Sequence, residues 1–201
     1  MLKRCEWATD IFLVKYHDTE WGVPLHNDKK LFEFLILDGA QAGLSWSTIL
    51  KKRDAYRKAF DRFEPKNIAS YTRADVRRLL RNKGIVRNRQ KIESAINNAK
   101  CFLKVKTEFG SFDRYVWSFV DHKTITNKYQ RWKDIPPYSN ESNGMSKDLK
   151  ERGFSFVGPT ICYAIMQSVG MVNDHVTSCF RHKEITQLEN NEQSYQTQKK
   201  L

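Results

Sequence analysis

Two Cys/His pairs at opposite ends of the chain constrain its fold more than any other feature. Cys5 and His17 lie near the start of the 201-residue sequence, and His175 and Cys179 lie near its finish. Together they make a Cys2His2 set, the closed tetrahedral shell of a structural zinc ion. His175 and Cys179 are four apart in sequence, so on a helix their side chains share a face, roughly 5–6 Å apart at Cβ. A metal shared by both pairs staples the two termini together. Spacing alone leaves a second reading open, two unrelated pairs, because a histidine and a cysteine four apart are a weak pattern.

Charge narrows the partners. Lys plus Arg number 35 against 23 Asp plus Glu, a formal net charge of +12. That surplus points to a polyanion, with nucleic acid ahead of an anionic membrane surface. A hydrophobic content of 40% with 12% aromatic residues suits a globular chain, one large domain or two small lobes around a buried core. No apolar run approaches the ~20 residues that span a bilayer. The opening Met1-Leu2-Lys3-Arg4-Cys5-Glu6 lacks a signal-peptide apolar core. A cytoplasmic location is therefore expected, with reduced thiols that bind metal or pack. Cys101 and Cys162 fall within apolar helical patterns and read as small core residues.

The periodicity is helical throughout. Asp28 is positioned to cap a helix carrying Leu31, Phe32, Phe34, Leu35 and Ile36, apolar enough to be central. Ser45 offers an N-cap for a second helix through Trp46, Ile49, Leu50 and Tyr56. Thr72 and Asp75 form a capping box with a short acid. Ile92, Ala95, Ile96, Ala99, Phe102 and Leu103 repeat at helical period, as do Phe112, Tyr115, Val116 and Phe119. No stretch alternates long enough to argue a sheet, so the fold class is all-α. Residues 121–145, with Pro136-Pro137, read as a long polar loop. From Glu184 onward the composition collapses to Gln, Asn, Glu and Lys. The expected organisation is one folded unit over residues 1–183 and a disordered polar tail over 184–201.

Residues 146–170 read as helix, hairpin, helix. Gly153 to Thr160 joins a short basic helix, starting near Ser146, to an apolar one from Ile161 to Val169. Gly158 tolerates unusual backbone angles, and Pro159 suits the first helical turn. At Gly158, Pro159 and Thr160 a helix N-terminus then points free backbone N–H groups outward, those of Gly158 and Thr160 among them, where phosphate binds well. An ordinary corner between two helices fits the same residues.

Longer motifs decide between these readings. Tyr16-His17-Asp18-Thr19-Glu20-Trp21-Gly22-Val23-Pro24, Gln41-Ala42-Gly43-Leu44-Ser45-Trp46, Val116-Trp117-Ser118-Phe119-Val120 and the stretch from Gly153 to His175 resemble the bacterial 3-methyladenine DNA glycosylase I family. The motifs stand in order from about Cys5 to Cys179. That family belongs to the helix-hairpin-helix superfamily of DNA glycosylases. The resemblance implies two helical lobes with a base pocket between them, and one structural Zn2+ per chain on Cys5, His17, His175 and Cys179. It also implies a monofunctional, monomeric enzyme of the bacterial cytosol that acts on double-stranded DNA. Such an enzyme hydrolyses the N-glycosidic bond of 3-methyladenine, releases the free base and leaves an abasic site.

Excising a base from duplex DNA requires turning it out of the stack, then aromatic surfaces and polar groups to hold it. Trp7, Tyr16, Trp21, Asp38 and Trp46 supply these near the N-terminal half. Trp21 reads equally as a core residue beneath the pocket, and Trp117 and Trp132 read as packing or surface. By resemblance, Trp46 is the stacking platform, and Tyr16 and Asp38 are the catalytic pair. The family usually carries a glutamate where this chain has Asp38, which keeps the charge on a stem one methylene shorter. A second pocket aromatic of the family falls near Phe12-Leu13, where no hydroxyl is available. Gly43 and Leu44 suit a wedge that fills the gap left by an extruded nucleotide, or a turn whose leucine packs inward. Asn173 cannot act as a base, and Asp174 reads as the residue that orients His175. Residues Lys83 to Lys91 form a basic turn that either touches phosphates or is simply solvated. No lysine between Pro159 and Met171 is placed as a Schiff-base nucleophile, so water is the expected attacker. Two rival readings are a zinc-stabilised lesion-binding module disabled by Asp38, and a hydrolase with catalytic zinc. A four-residue protein shell leaves no coordination position for water, which weighs against the second.

Overall fold

A computed structural model describes residues 2–188 of the chain. Its helices begin where the sequence supplies caps. Helix α1 (Ile11–Thr19) starts at Asp10, whose carboxylate accepts the Phe12 and Leu13 N–H groups. Helix α2 (Asp28–Gln41) is capped by Asn27 rather than by the expected Asp28. The Asn27 amide oxygen accepts the Lys30 N–H, and Asp28 instead binds the Asp113 N–H and the Lys106 ammonium. Ser45 caps α3 (Trp46–Ala59), and the Thr72–Asp75 box opens α5 (Arg73–Arg81) after the short α4 (Pro65–Ala69). Helices α6 (Arg89–Phe109) and α7 (Phe112–Trp117) follow the remaining periodic stretches, and α7 runs into a 3-10 turn at Ser118–Val120.

Three expectations need correction. The expected loop 121–145 gives way early to α8 (Asn140–Glu151), opened by a capping box of Ser139 and Ser142. Serine at both box positions, in a run of small polar residues, hides that start. Among the described residues the regular structure is helical apart from one element, a two-residue parallel pairing of β1 (Ile125–Thr126) with β2 (Val172–Asn173). That pairing is far too short to leave an alternating pattern. Finally, after α9 (Pro159–Ser168), residues 180–188 form a helix, α10, and its Ile185 is fully buried. One isoleucine in a polar run anchors it, and Asn173 donates to the His182 carbonyl oxygen. The folded part therefore extends beyond residue 183; the rest of the expected tail, 189–201, lies outside the described residues.

Helix α2 is the hub. Every residue from Leu31 to Ala40 is buried, against α3, α6, α7 and α9. A helix apolar on all sides needs neighbours on all sides. Its one fully ion-paired intruder, Glu33, is met by Arg53 and Arg57 of α3. Cys101, Cys162 and Trp117 pack in the core as expected, and the Trp117 indole donates to the Leu25 carbonyl oxygen. The end of α9 is stitched to the N-terminal segment. Gly22 N–H donates to Gln167 O, and Leu25 N–H to Val169 O. Gly170, at φ +74°, makes this approach possible, since a Cβ there would lie 2.3 Å from the Val23 carbonyl carbon. Among the described residues, no helix is long and apolar enough to cross a membrane.

Candidate active site and metal centre

A cavity of about 280 Å³ opens between α1, α2, the start of α3 and α9. Trp7, Tyr16, Trp21, Asp38 and Trp46, all expected from the sequence, line it together. Trp46 packs 5.4 Å from Tyr16, centroid to centroid, and Trp7 meets Trp21 edge-on at 5.0 Å. Trp21 is only 5% exposed, so it is both wall and core.

The wall also holds residues not read as functional. Trp132, expected to be packing or surface, stands 6.0 Å from Trp7 and 6.1 Å from Trp21 and closes one side. It sits in a 3-10 turn (Trp132–Asp134) within a polar loop. The available signal was a large aromatic stranded where no core residue was due. Gln41, Ser45 and Ser47 come from the turn into α3, and Ala164, Gln167 and Ser168 from α9. Of Phe12-Leu13, Leu13 lines the cavity and Phe12 is exposed.

The polar atoms of this cavity are unusual. Among the described residues four buried side-chain N or O atoms lack a hydrogen-bond partner. Three of them, Trp7 Nε1, Asp38 Oδ2 and Trp46 Nε1, belong to this wall. Such atoms are costly unless a ligand meets them. Burial pushes Asp38 well above the usual carboxylate range, opposed only by the charge of Arg53. Tyr16 donates to Ser168 Oγ at 2.9 Å. Burial first, and then the nearby Asp38 charge, push its hydroxyl well above the usual range, so it stays a neutral donor.

Beside the cavity, Cys5, His17, His175 and Cys179 converge, all buried, with their ligand atoms within 4.8 Å of one another. Two segments more than 150 residues apart in sequence thus meet at one point. Cys179 Sγ lies 3.4 Å from His17 Nε2 and 3.5 Å from His175 Nδ1, and Cys5 Sγ lies 3.6 Å from His175 Nδ1. A tetrahedral zinc with bonds of about 2.3 Å to sulfur and about 2.0–2.1 Å to nitrogen sets an S···N edge of about 3.6 Å. The donor set therefore fits the ion. The outward nitrogens are fixed as well, His17 Nδ1 by Asp18 at 2.8 Å and His175 Nε2 by the Trp21 carbonyl oxygen at 3.0 Å. Burial holds His175 neutral, the form that ligates. A hydrogen bond from the Cys5 thiol, opposed by burial, draws the Cys179 thiol below its usual range.

Asp174 does not orient His175, contrary to expectation. Its carboxylate accepts from Asn127, Tyr163 and Gln167 at 2.7–2.8 Å, tying α9 to the segment after β1. Adjacency in sequence suggested a contact that the turned backbone directs elsewhere. Asn173 anchors α10.

The hairpin residues Gly158, Pro159 and Thr160 sit at the start of α9, with Pro159 in its first turn and no side chain capping it. Gly158 has φ −64°, an ordinary angle, and the position that needs glycine is Gly153 at φ +86°. Gly43, at φ +77°, shapes the turn that leaves Leu44 exposed, not packed inward.

Comparison with known proteins bears on both sites. The methyladenine glycosylase family model matches residues 7–182. The DNA-3-methyladenine glycosylase 1 of Escherichia coli (strain K12) is 46% identical over 179 residues, covering 89% of this chain and 96% of that protein. A crystal structure of a 3-methyladenine DNA glycosylase I superposes with a TM-score of 0.86 at 48% identity, over 89% of this chain and 98% of that one. A variant of a 3-methyladenine DNA glycosylase I, solved in complex with 3-methyladenine, superposes with a TM-score of 0.85 at 38% identity, over 88% of this chain and 96% of that one.

Proposed function

The chain belongs to the methyladenine glycosylase family, and from that membership we propose that it excises 3-methyladenine from alkylated double-stranded DNA. The observation that carries the reading is Asp38, a buried carboxyl with an unpartnered oxygen in an aromatic-walled cavity of nucleobase size.

The chemistry asks little of the protein. An N3-methylated adenine in DNA is cationic, so its glycosidic bond is already weak. The bond between C1′ and the base nitrogen breaks, and its electron pair neutralises the departing base. Water adds to C1′ and loses a proton, leaving an abasic site with the strand intact. The protein's tasks are to hold the cation and the developing positive charge on the sugar. Trp46, with the other indoles, offers stacking and cation–π attraction. Asp38 supplies the selectivity. Alone it favours its proton, whereas a cation beside it favours the carboxylate. Neutral adenine provides no such compensation. Tyr16, kept neutral and held by Ser168, fixes the wall behind the base. No lysine lies in α9, which supports water as the attacker and a monofunctional enzyme.

Cys5, His17, His175 and Cys179 would hold one structural Zn2+, whose contribution is to bind residues 5–17 to residues 175–179. The S···N spacings and the fixed outward nitrogens support it. The α8–hairpin–α9 unit is read as the helix-hairpin-helix that grips the lesion strand's phosphates through Gly158, Pro159 and Thr160. Gly43 and Leu44 form the wedge. The enzyme is read as a cytoplasmic monomer.

The test is incubation with methylated duplex DNA and chromatography of the released bases. Free 3-methyladenine with little 7-methylguanine is expected. Binding to abasic DNA without base release would establish the inactive lesion-binding module instead.

A further inference from the structure

Beyond the base cavity, a second groove flanks Leu44. It has a volume of about 620 Å³ and is lined by Leu44, Thr48, Lys52, Lys83, Ile85 and Arg87, among others. The start of α3 divides the two spaces. Ser45, Trp46 and Ser47 face the base cavity, whereas Leu44, Thr48 and Lys52, spaced four apart on the opposite helical face, line the groove.

Three observations mark this groove as built for a polyanion. No acid lines it: among the described residues, Lys52, Lys83 and Arg87 form no ion pair with a carboxylate, and the Lys52 ammonium donates only to the Lys83 carbonyl oxygen at 3.1 Å. The turn bearing Lys83 and Arg87 is held rigidly on α3. Gly84 lies so close that a Cβ would meet Ala55 at 2.8 Å, Ile85 is buried, and the Val86 N–H donates to Tyr56. Finally, Lys91 just beyond that turn donates its ammonium to the Ala40 and Ala42 carbonyl oxygens. Lys91 thereby locks the basic turn to the residues leading into Gly43 and Leu44.

We propose that this groove seats the backbone of the undamaged strand, with Lys52, Lys83 and Arg87 on its phosphates. The inference rests on the proposed function, in which Leu44 enters the duplex where the lesion is turned out. The lesion strand then passes over the base cavity and the start of α9. Its complement must leave on the other side of Leu44, where the groove lies. Lys91 acts as a positioning residue that keeps wedge and groove in register. A point charge reads phosphate without sequence, which suits an enzyme whose lesion occurs in any context.

The experiment compares the full chain with Lys83→Ala/Arg87→Ala, both on the exposed side of the turn. Three quantities are measured: affinity for a duplex carrying an abasic-site analogue across a salt series, affinity for the lesion strand alone, and affinity for free 3-methyladenine. Duplex affinity should fall roughly 10-fold or more, and the slope of log K against log salt should shrink by about 1–2. Single-strand affinity should change by less than about twofold, because lost charge contacts act only where a phosphate sits. Equal loss on single strand and duplex, or an unchanged salt slope, overturns the proposal. Free-base binding and thermal melting report separately. If the parent protein binds no 3-methyladenine, the proposed function fails, while the duplex-against-single-strand contrast still judges the groove.

Discussion

The candidate metal centre and the aromatic cavity share walls yet treat buried polar atoms in opposite ways. At the metal centre both thiols sit against imidazole nitrogens, and each outward imidazole nitrogen has its own acceptor. A few ångströms away, across Trp7 and Trp21, the cavity leaves Asp38 Oδ2 and two indole N–H groups without a partner. An unmet buried polar group costs about 1–3 kcal/mol, so the chain carries a penalty at one site that it avoids at the other. On the proposed function, the difference separates a centre that holds structure from one that receives a ligand.

That contrast can be broken most severely at the metal centre. Cys179→Ser should cost several kcal/mol of stability, since metal binding to a closed site is folding free energy. A large fall in melting temperature is expected, with base release surviving in the folded fraction. Loss of turnover with unchanged melting would make the metal catalytic and erase the distinction.

At the cavity the effects should run the other way. Asp38→Asn is expected to cut excision by about 100-fold while raising stability by about 1 kcal/mol, the relief of a buried acid. The sign follows from the raised folded pKa of Asp38. Above the unfolded value near 4, the folded chain holds more protons than the unfolded one. Its stability therefore falls as pH climbs from about 4 towards the folded pKa. Urea melts across pH should show this decline in the parent and its loss in Asp38→Asn. Asp38→Glu should keep or raise excision, and a marked fall would mean the wall has adapted to the shorter acid. The smallest effect sharpens the comparison at the shared wall. Trp132→Ala should weaken 3-methyladenine binding about 10-fold by fluorescence titration, with melting lowered only slightly.

Much of this was legible in the sequence because it was local or periodic. Ser45, Thr72 and Asp75 cap as their spacing says, and the buried stripe of α6 follows its apolar repeat. The four clustered Cys and His residues were legible as residue types, although spacing alone did not join the two pairs. What escaped lies in irregular backbone. Trp132, Gln167 and Ser168 reach the cavity through tertiary placement of a loop and a helix end, and no period announces that. Asp174 misled for the same reason: its neighbour in the chain is not its neighbour in space. The start of α8 was hidden by a weak cap and α10 by a polar surface around one buried isoleucine.

The stitching of residues 22–25 to the end of α9 also sets an order of assembly. Glycine at position 170 admits the Val23 backbone, and Ala164, Gln167 and Ser168 complete the cavity wall. A nascent chain therefore carries its indoles without a complete cavity to set them in until residues 164–168 have emerged. Only when His175 and Cys179 arrive can they meet Cys5 and His17, so the walled cavity exists only after residue 179 has joined the fold.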